Sequence, residues 1–452
     1  MKLRLAALVT ALLFSVSPYV AQQGTPWVTR AAAKQASSPS RFSTMRPPTV
    51  ANAAAIRARY HGQHITFLGD NAIGDSHLRD VALAAEFARD TGVTVKVVPH
   101  PVDNSYSQLV NTFRAHSATF DVVMIDVVYP GAFASNLVDL RQYFSKAEIG
   151  RQSATIIAND TINGRLVAMP WFGDFGILYY RTDLLKKYGF SHPPRTWTEL
   201  GQMARTIQRG EQKTNKNFYG FVYQGNAYEG LTCNALEWLA STGGGHFIDN
   251  GKVTIDNRTA RSTLTMIASW VGNVSPRTVT SFQEEDARIT FDNGNAAFMR
   301  NWPSAYAASQ MTPVDGKFDV TALPHAAGYS SVGTAGGWQL GVPKYSRHVG
   351  AAVELVRYLT SPAVQRYDAV VNSNVPTIPA IANDASVRKT NPYLKPSING
   401  VTRVTRPGNF LKGHYAAGSQ IIYQGINQIL SGQSAGSILP RIKQQLESLV
   451  HQ

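Results

Sequence analysis

The sequence predicts an α/β protein with two three-layer lobes, in each of which helices cover both faces of a sheet. The chain has 452 residues, 44% of them hydrophobic, and this length exceeds what one ordinary core accommodates. Between residues 65 and 128, short apolar segments alternate with segments of helical periodicity, which indicates a βαβαβ unit. The last apolar segment, Phe120 to Val128, is typical of a strand buried inside a parallel sheet.

The first residues match a secretory signal peptide. Lys2 and Arg4 precede the apolar run Leu5 to Val16, which is too short to span a bilayer. We therefore assign residues 1–21 to a signal peptide, and residues 22–61, rich in Ala, Ser, Pro and Arg, to a flexible N-terminal extension. Because Cys233 is the only cysteine, no thiol behind the signal segment can carry a lipid. We expect a soluble, periplasmic protein without disulfides.

Charge and histidine content exclude several classes of function. The net charge is +14, but the 43 Lys and Arg are scattered without a dense basic block, so we predict no nucleic-acid partner. The 11 His form no HxxxH pattern or Cys/His cluster, so we predict no metal site and no cofactor.

In the first predicted lobe, polar residues follow the strands. Ile65 to Leu68 is the first strand, and the loop Gly69 to Asp75 comes directly after it. Ligands bind at the carboxyl ends of strands in such sheets, so this loop, with Asp70 and Asp75, is expected beside Asp126 at the end of the third strand. A capping carboxylate is an equal alternative for Asp126.

The stretch Ala168 to Tyr188 links the two predicted lobes. Since Pro170 and Gly173 weaken regular pairing, we expect Trp171 to Asp174 to be irregular and accessible, followed by a strand from Ile177. Aromatic faces beside a carboxylate suit a sugar, because ring C–H groups pack on the aromatic plane and hydroxyls donate to the carboxylate. A buried Trp with a surface Asp is the alternative.

The second predicted lobe contains helices with clear start signals. Thr196 and Glu199 form a capping box, and a further helix follows Tyr228 and Glu229. Within that helix Cys233 is expected in the core, and Glu237 either on a solvated face or in a site. The glycines 243–245 lack the spacing of a phosphate loop, so nucleotide binding is not expected.

Two more tryptophans stand where strands meet loops. Trp302 follows the apolar strand from Ala296, and Trp338 follows Gly336 and Gly337, where backbone can approach a ligand closely. Together with Trp171 they fit a common aromatic-walled cleft, although each could be an independent core residue. Helices are predicted from Val349 to Leu359, from Ser419 to Leu430 and from Ile438 to Val450.

From Ile65 to the C-terminus the chain resembles the family 1 extracellular solute-binding proteins of ABC importers, and is most similar to the trehalose/maltose-binding members. The resemblance rests on the order and spacing of FDVVMID (120–126), PWFGDFGILYYRTDLL (170–185), PPRTWTEL (193–200), QGNAYEGLTCNALEWLASTGGG (224–245), FMRNWPSAY (298–306), GGWQLGV (336–342) and ILSG (429–432). Departures are Ser304 after Trp-Pro, where relatives often have Tyr, and Asp70, Asn71 and Asp75 in a loop where they often have Glu.

The resemblance implies a type II periplasmic-binding-protein-like fold whose lobes are joined by hinge crossovers near Pro170, Trp302 and Gly341. Lobe 1 would comprise residues 62–170 and 304–341, and lobe 2 residues 171–303 and 342–452. By the same resemblance Asp126 and Asp174 would accept sugar hydroxyls, Trp302 and Trp338 would stack on the rings, and Arg406 would contact the sugar. The complete candidate site is Asp70, Asp75, Asn104, Asp126, Trp171, Asp174, Tyr228, Trp302, Gly336, Gly337, Trp338 and Arg406.

The function that this implies is capture of a sugar, a disaccharide such as trehalose or maltose or a short oligosaccharide, and its delivery by a monomer to ABC permease subunits. A secreted glycoside hydrolase is one alternative, but no acid/base pair stands out. The acidic run Glu284 to Asp286 is interpreted as a solvated helix start, so no catalytic residue is predicted. Binding of an anionic or peptide solute is a further alternative, which the net charge favours.

Overall fold

The computed structural model describes residues 45–100 and 105–451. The predicted signal peptide, the first part of the predicted extension and Asn104 lie outside these residues. The strands are β1 (His64–Gly69), β2 (Thr94–Pro99), β3 (Val122–Asp126), β4 (Thr161–Ile162), β5 (Arg165–Leu166), β6 (Met169–Phe175), β7 (Ile177–Arg181), β8 (Tyr219–Val222), β9 (Ile248–Asp249), β10 (Lys252–Val253), β11 (Ala296–Asn301), β12 (Phe318–Thr321), β13 (Val332–Gly341), β14 (Val375–Pro376) and β15 (Thr402–Val404).

The α-helices surround these strands and make up most of the C-terminal part of the chain. They are α1 (Ala53–Tyr60), α2 (Ser76–Thr91), α3 (Ser105–Arg114), α4 (Pro130–Phe133), α5 (Lys146–Gly150), α6 (Ala154–Asn159), α7 (Thr182–Lys187), α8 (Trp197–Glu211), α9 (Glu229–Ala240), α10 (Arg258–Ala268), α11 (Glu284–Asp292), α12 (Ala305–Ser309), α13 (Val349–Leu359), α14 (Pro362–Asn372), α15 (Pro379–Ala382), α16 (Ala385–Thr390), α17 (Pro396–Asn399), α18 (Gly408–Leu411), α19 (Tyr415–Leu430) and α20 (Ala435–Val450).

The first large sheet has seven strands in the order β14-β6-β13-β3-β1-β2, with β15 beside β13. Strand β1 pairs parallel with β2 and β3, as the βαβαβ pattern predicts. Strand β13 then runs antiparallel between β3 and β6. Residues 122–125 of β3 are completely buried, which agrees with their apolar run and confirms the α/β fold class.

The second large sheet has four strands in the order β12-β7-β11-β8. Strand β11 pairs parallel with β8 and antiparallel with β7, so this sheet is also mixed. Helices α8 and α11 pack against β8 and β11 of this sheet, and α9, α10, α19 and α20 pack on one another. Helix α13 packs against α1 and against β3 of the first sheet.

The chain passes between the two sheets at places other than those implied by the resemblance. Strand β6 belongs to the first sheet and β7 to the second, so the first passage is at Gly176 and not at Pro170. A Cβ at Gly176 would lie 2.0 Å from Oε1 of Glu237, so only glycine fits there. The return lies between Thr321 and Val332, since β12 is in the second sheet, and not near Trp302.

The prediction that Trp171 to Asp174 form an irregular, accessible segment is wrong, because these residues lie within the continuous strand β6. It pairs with β13 on one side and β14 on the other. Proline and glycine are tolerated because the register shifts beside Pro170, between Trp338 and Gln339 of β13. Such a bulge relieves the ladder at a residue that has no N–H to donate.

The described end of the N-terminal extension is also more ordered than its composition indicated. Residues 53–60 form α1, whose Ile56 is buried and which packs against α2. Arg57 donates to the carbonyls of Arg89 and Asp90 at the end of α2. Alanine-rich sequence favours a helix when a partner is present, so this part is tied to the first sheet.

Local signals elsewhere predicted the helix ends correctly. Thr196 and Glu199 form the predicted capping box at α8, and Gly189 follows α7 with φ 76°. No α-helix within the described residues is long and apolar enough to cross a membrane.

Candidate ligand-binding site

A cavity of about 700 Å³ lies between the first large sheet on one side and, on the other, helices and the residues that follow β11 of the second sheet. One wall consists of the loop after β1, the end of β3 and parts of β6 and β13, and the other of the starts of α9 and α11, the residues after β11, and α19. Its polar and aromatic lining residues are Asp70, Ser76, Ser105, Tyr106, Ser107, Asp126, Tyr129, Phe172, Asp174, Asn226, Tyr228, Glu229, Cys233, Glu284, Trp302, Ser304, Trp338, Arg406, His414, Gln420 and Tyr423.

Strand register in the first sheet brings distant residues into one wall. Trp338 of β13 lies opposite Asp126 of β3 and Phe172 of β6. Two residues earlier on β13, Gly336 lies opposite Asp174. Because side chains two apart on a strand share a face, Phe172 and Asp174 both reach the cavity.

Gly337 shapes this wall through its backbone. Its φ is 131°, and a Cβ there would lie 2.7 Å from the carbonyl oxygen of Phe172. Only glycine tolerates both conditions. The main chain of β13 therefore borders the cavity without a side chain beside Trp338, as the two glycines in the sequence indicated.

Asp174 is a carboxylate that has few hydrogen-bond partners within the protein. Within the described structure its one hydrogen bond is from the N–H of Phe175 to Oδ1, at 3.0 Å. Burial raises the pKa of Asp174 well above the ordinary value, since desolvation penalises the charged form. Its Oδ2 has no hydrogen-bond partner among the described residues, so this oxygen can accept a hydrogen bond from a hydroxyl group of a ligand.

Arg406 joins acidic groups from the two sides of the cavity. Its Nη2 lies 2.7 Å from Oδ1 of Asp126, and its Nη1 lies 2.8 Å from Oε1 of Glu229 at the start of α9. Burial raises the pKa of Asp126, and Arg406 opposes this rise. Asp126 also accepts the N–H of Val128 at 3.2 Å, so it serves both as a cavity carboxylate and as a local cap.

Trp302 also lines the cavity, and its ring is held at its edge and at one face. Its Nε1 donates to Oε1 of Glu284 at 3.1 Å, and the guanidinium of Arg300 lies 3.9 Å from the ring centroid. Glu284 is 5% exposed and lines the cavity, so its interpretation as a solvated helix residue is wrong. The sequence does not reveal this burial, because Glu284 belongs to a run of three acidic residues at the start of a helix. Such a run is also typical of an exposed helix start with a capping box, which Gln283 and Asp286 form here.

Asp70 belongs to a buried ionic cluster behind the first wall. Arg79 lies within 3.3 Å of Asp70, Asp80 and Asp368, and its guanidinium lies 4.5 Å from the centroid of the Trp171 ring. Burial raises the pKa of Asp80 to about 7, against the opposing charge of Arg79. The cluster fixes Asp70, which alone among these ionic groups borders the cavity.

The predicted site residues divide into two groups. The structure brings Asp70, Asp126, Asp174, Tyr228, Trp302, Gly336, Gly337, Trp338 and Arg406 together around the cavity. Trp171 is 1% exposed and packs between Phe67 and Arg79, because it projects away from the face that carries Phe172 and Asp174. Asp75 is exposed at the start of α2, outside the lining, and Asn104 lies outside the described residues.

Other lining residues were missed by sequence reasoning. Phe172, Glu229 and Glu284 have no motif that distinguishes them from core or surface residues, although Phe172 and Glu229 stand beside predicted site residues. Glu237 was assigned to a solvated face or a site, yet it is 1% exposed and pairs with Arg300 at 2.6 Å. The contact of Glu237 with Arg300, 63 residues further along the chain, decides its burial, and a single sequence carries no signal for such a contact.

The arrangement can bind a polar, ring-shaped solute by stacking and hydrogen bonding. The aromatic residues Trp302, Trp338 and Phe172 line the cavity together with several acceptor carboxylates. Carboxylates outnumber the one arginine in the lining, so the wall favours hydrogen-bond donors over anions. No cluster of three potential metal ligands occurs among the described residues.

Comparison with known proteins agrees with this geometry. Residues 75–366 match the model of the family described as bacterial extracellular solute-binding protein. A "Probable ABC transporter-binding protein" of Deinococcus radiodurans is 42% identical over 413 residues, which are 90% of this chain and 98% of that protein. A "Probable amino-acid ABC transporter periplasmic-binding protein" of Sinorhizobium fredii is 22% identical over 353 residues, 75% of this chain and 78% of that protein.

Among solved structures, maltose-bound MalE3 of T. maritima superimposes with a TM-score of 0.79 and 34% identity, covering 86% of this chain and 100% of that one. The cavity lined by aromatic and acidic residues therefore belongs to a chain with the same fold as MalE3. The chain belongs to the bacterial extracellular solute-binding proteins, and it is the solute-binding protein of an ABC transporter, not an enzyme.

Proposed function

We propose that this protein captures a sugar, a disaccharide such as trehalose or maltose or a short oligosaccharide, and delivers it from the periplasm to the permease of an ABC importer. The observation that carries the proposal is the cavity, where Trp302 and Trp338 stand beside the carboxylates of Asp126 and Asp174. Its volume of about 700 Å³ falls in the range of small-molecule sites. The 34% identity to a maltose-bound relative supports the same ligand class.

The proposed mechanism is closure of two lobes around the intact sugar. We take the two large sheets, with the helices that pack on them, as the cores of the two lobes. The rim already carries a contact between the two sides, from the N–H of Gly74 to Glu285 at 3.1 Å. A ligand that touches both walls favours the closed state, and the permease would recognise that state.

The balance of charge opposes an anionic solute as the ligand. Among the described lining residues Arg406 is the only arginine or lysine, and it is already paired with Asp126 and Glu229. An acidic ligand would therefore meet uncompensated carboxylates, which costs free energy in a buried site. Because the name of the Sinorhizobium relative mentions amino acids, the test below includes amino acids as alternative ligands.

The test is a thermal-shift screen over mono-, di- and oligosaccharides, amino acids and uronic acids, followed by calorimetric titration of the hits. A ligand bound only by the folded state raises the melting temperature by mass action. We expect a neutral disaccharide or oligosaccharide to bind with a dissociation constant of about 1 μM. A response to amino acids alone, or to no saccharide, would overturn the proposal.

Two substitutions connect a hit to the cavity. Trp338→Ala removes a stacking surface and Asp174→Asn removes a carboxylate, so each should weaken saccharide binding about tenfold or more. Ser309→Ala changes a small residue outside the lining and serves as the control with unchanged affinity. Retained affinity in both cavity variants would place the saccharide elsewhere on the protein.

A further inference from the structure

The face of Trp302 is covered by a guanidinium that does not border the cavity. Arg300 lies two residues before Trp302, at the end of β11, and is 1% exposed. Its Cζ lies 3.9 Å from the centroid of the indole ring. A cation at this distance is attracted by the negative face of the ring, so Arg300 both supports and polarises the indole.

Arg300 itself is held in place from several directions. Its Nη2 lies 2.6 Å and its Nε 2.9 Å from the two carboxylate oxygens of Glu237. Its Nη1 donates to Oε1 of Gln224 at 3.1 Å. A bidentate pair of this kind fixes the orientation of the guanidinium plane as well as its position.

The same ion pair lies where the chain passes between the sheets. The N–H of Thr334 donates to Oε1 of Glu237 at 3.0 Å. A side chain at Gly176 would collide with both Glu237 and Arg300. The support of Trp302 is therefore built into the most constrained part of the frame and not into a flexible loop.

The edge and backbone of Trp302 are restrained as well. Glu284 accepts the indole N–H at 3.1 Å, and the hydroxyl of Tyr179 donates to the carbonyl oxygen of Trp302 at 2.7 Å. With one face on Arg300, the ring has little freedom to turn. A ligand then stacks on a plane that is already in position, and loses less free energy in ordering it.

We propose that Arg300, held by Glu237, is a positioning residue of the ligand site: it fixes the plane of Trp302 on which a sugar ring stacks, without touching the sugar. This inference rests on the proposed function for its ligand. According to this inference, Arg300 influences the affinity for the ligand only through its contact with Trp302.

A double-mutant cycle tests that assignment. Arg300→Lys keeps the charge beside Glu237 but loses the planar support, and should weaken saccharide binding about tenfold. In a Trp302→Ala background, which has no ring for Arg300 to support, the same change should weaken binding less than about twofold, because residues that act through one contact are not additive. Full additivity, or native affinity in folded Arg300→Lys, would overturn the inference.

A ligand-free measurement keeps the test independent of the proposed function. The fluorescence of Trp302 is isolated as the difference between native protein and Trp302→Phe. In Arg300→Lys this component should become more accessible to acrylamide and lose anisotropy, and unchanged values count against the inference. If no saccharide binds native protein, the proposed function fails, and this measurement alone decides the role of Arg300.

Arg181→Lys is the matched control. Arg181 lies on the neighbouring strand β7, is 8% exposed and pairs with Asp183 at 2.6 Å, so it resembles Arg300 except for the indole. It should leave affinity and Trp302 fluorescence unchanged. Should Arg300→Lys fail to fold, Glu237→Gln weakens the same support with a smaller change and takes its place in the cycle.

Discussion

Two tryptophans in this protein have nearly the same surroundings, but only one of them borders the cavity. Trp302 and Trp171 each stand beside a proline and under a buried guanidinium, with Arg300 at 3.9 Å and Arg79 at 4.5 Å from the ring centroids. Trp302 keeps a surface towards the cavity, whereas Trp171 is enclosed by Phe67 and the first sheet. The neighbouring proline and guanidinium therefore do not determine which ring borders the cavity; the direction in which the ring points does.

The largest expected effect is a difference in the stability that Trp171 and Trp302 contribute to the folded protein. Trp171→Ala removes a fully buried indole and should lower the free energy of unfolding by about 3–5 kcal/mol. Trp302→Ala should lower it by about 1–2 kcal/mol, because part of that ring is already exposed. Chemical denaturation of both variants without ligand measures the difference, and equal losses would contradict the comparison.

The next effect separates them by binding. Trp302→Phe keeps an aromatic face and should retain most of the affinity for a saccharide, whereas Trp302→Ala should lose about 2 kcal/mol of binding free energy. Trp171→Phe should bind as native protein does, since its ring touches no ligand. Calorimetric titration of these variants checks the assignment, and weakened binding by Trp171→Phe would break it.

The third prediction concerns how stability depends on pH through the three carboxyl groups that surround Arg79 beside Trp171. The pKa of Asp80 is raised from 3.8 to about 7 by burial, so the folded state holds this proton more tightly than the unfolded state. Its contribution to stability is present below pH 3.8 and is lost as the pH rises to about 7. In Asp80→Asn the fall in melting temperature across this window should shrink by about 3 °C or more, and an unchanged slope would exclude Asp80.

The smallest expected effect is that of salt on binding. Arg79 and Arg300 are both neutralised by carboxylates of their own clusters, so neither offers a free charge to a ligand. A neutral sugar should bind with less than about a twofold change in affinity between low and high salt. A steep loss of affinity with salt would indicate a charged solute instead.

The sequence predicted much of the frame because local signals and tertiary structure agree there. The buried run of β3, the capping box at Thr196 and the parallel pairing of β1 with its neighbours follow from periodicity and turn chemistry. The convergence of Asp126, Asp174, Trp302 and Trp338 on one cavity was also predicted, because strand ends and the resemblance indicated the same positions.

The errors occur where pairing between distant segments decides the outcome. Trp171 and Phe172 are adjacent, and only the pairing of β6 beside β13 determines which of them borders the cavity. Glu237 and Glu284 look solvated in the sequence, yet each is buried beside a residue far along the chain. Such contacts leave no pattern in a single sequence.

The only cysteine of the chain has a practical consequence. Cys233 is 2% exposed in the wall of the cavity, and burial raises the pKa of its thiol, so a reactive thiolate is scarce. Alkylation should therefore be slow in native protein and slower still once a solute fills the space in front of the sulfur. Mass spectrometry of that single adduct would report occupancy without any engineered label.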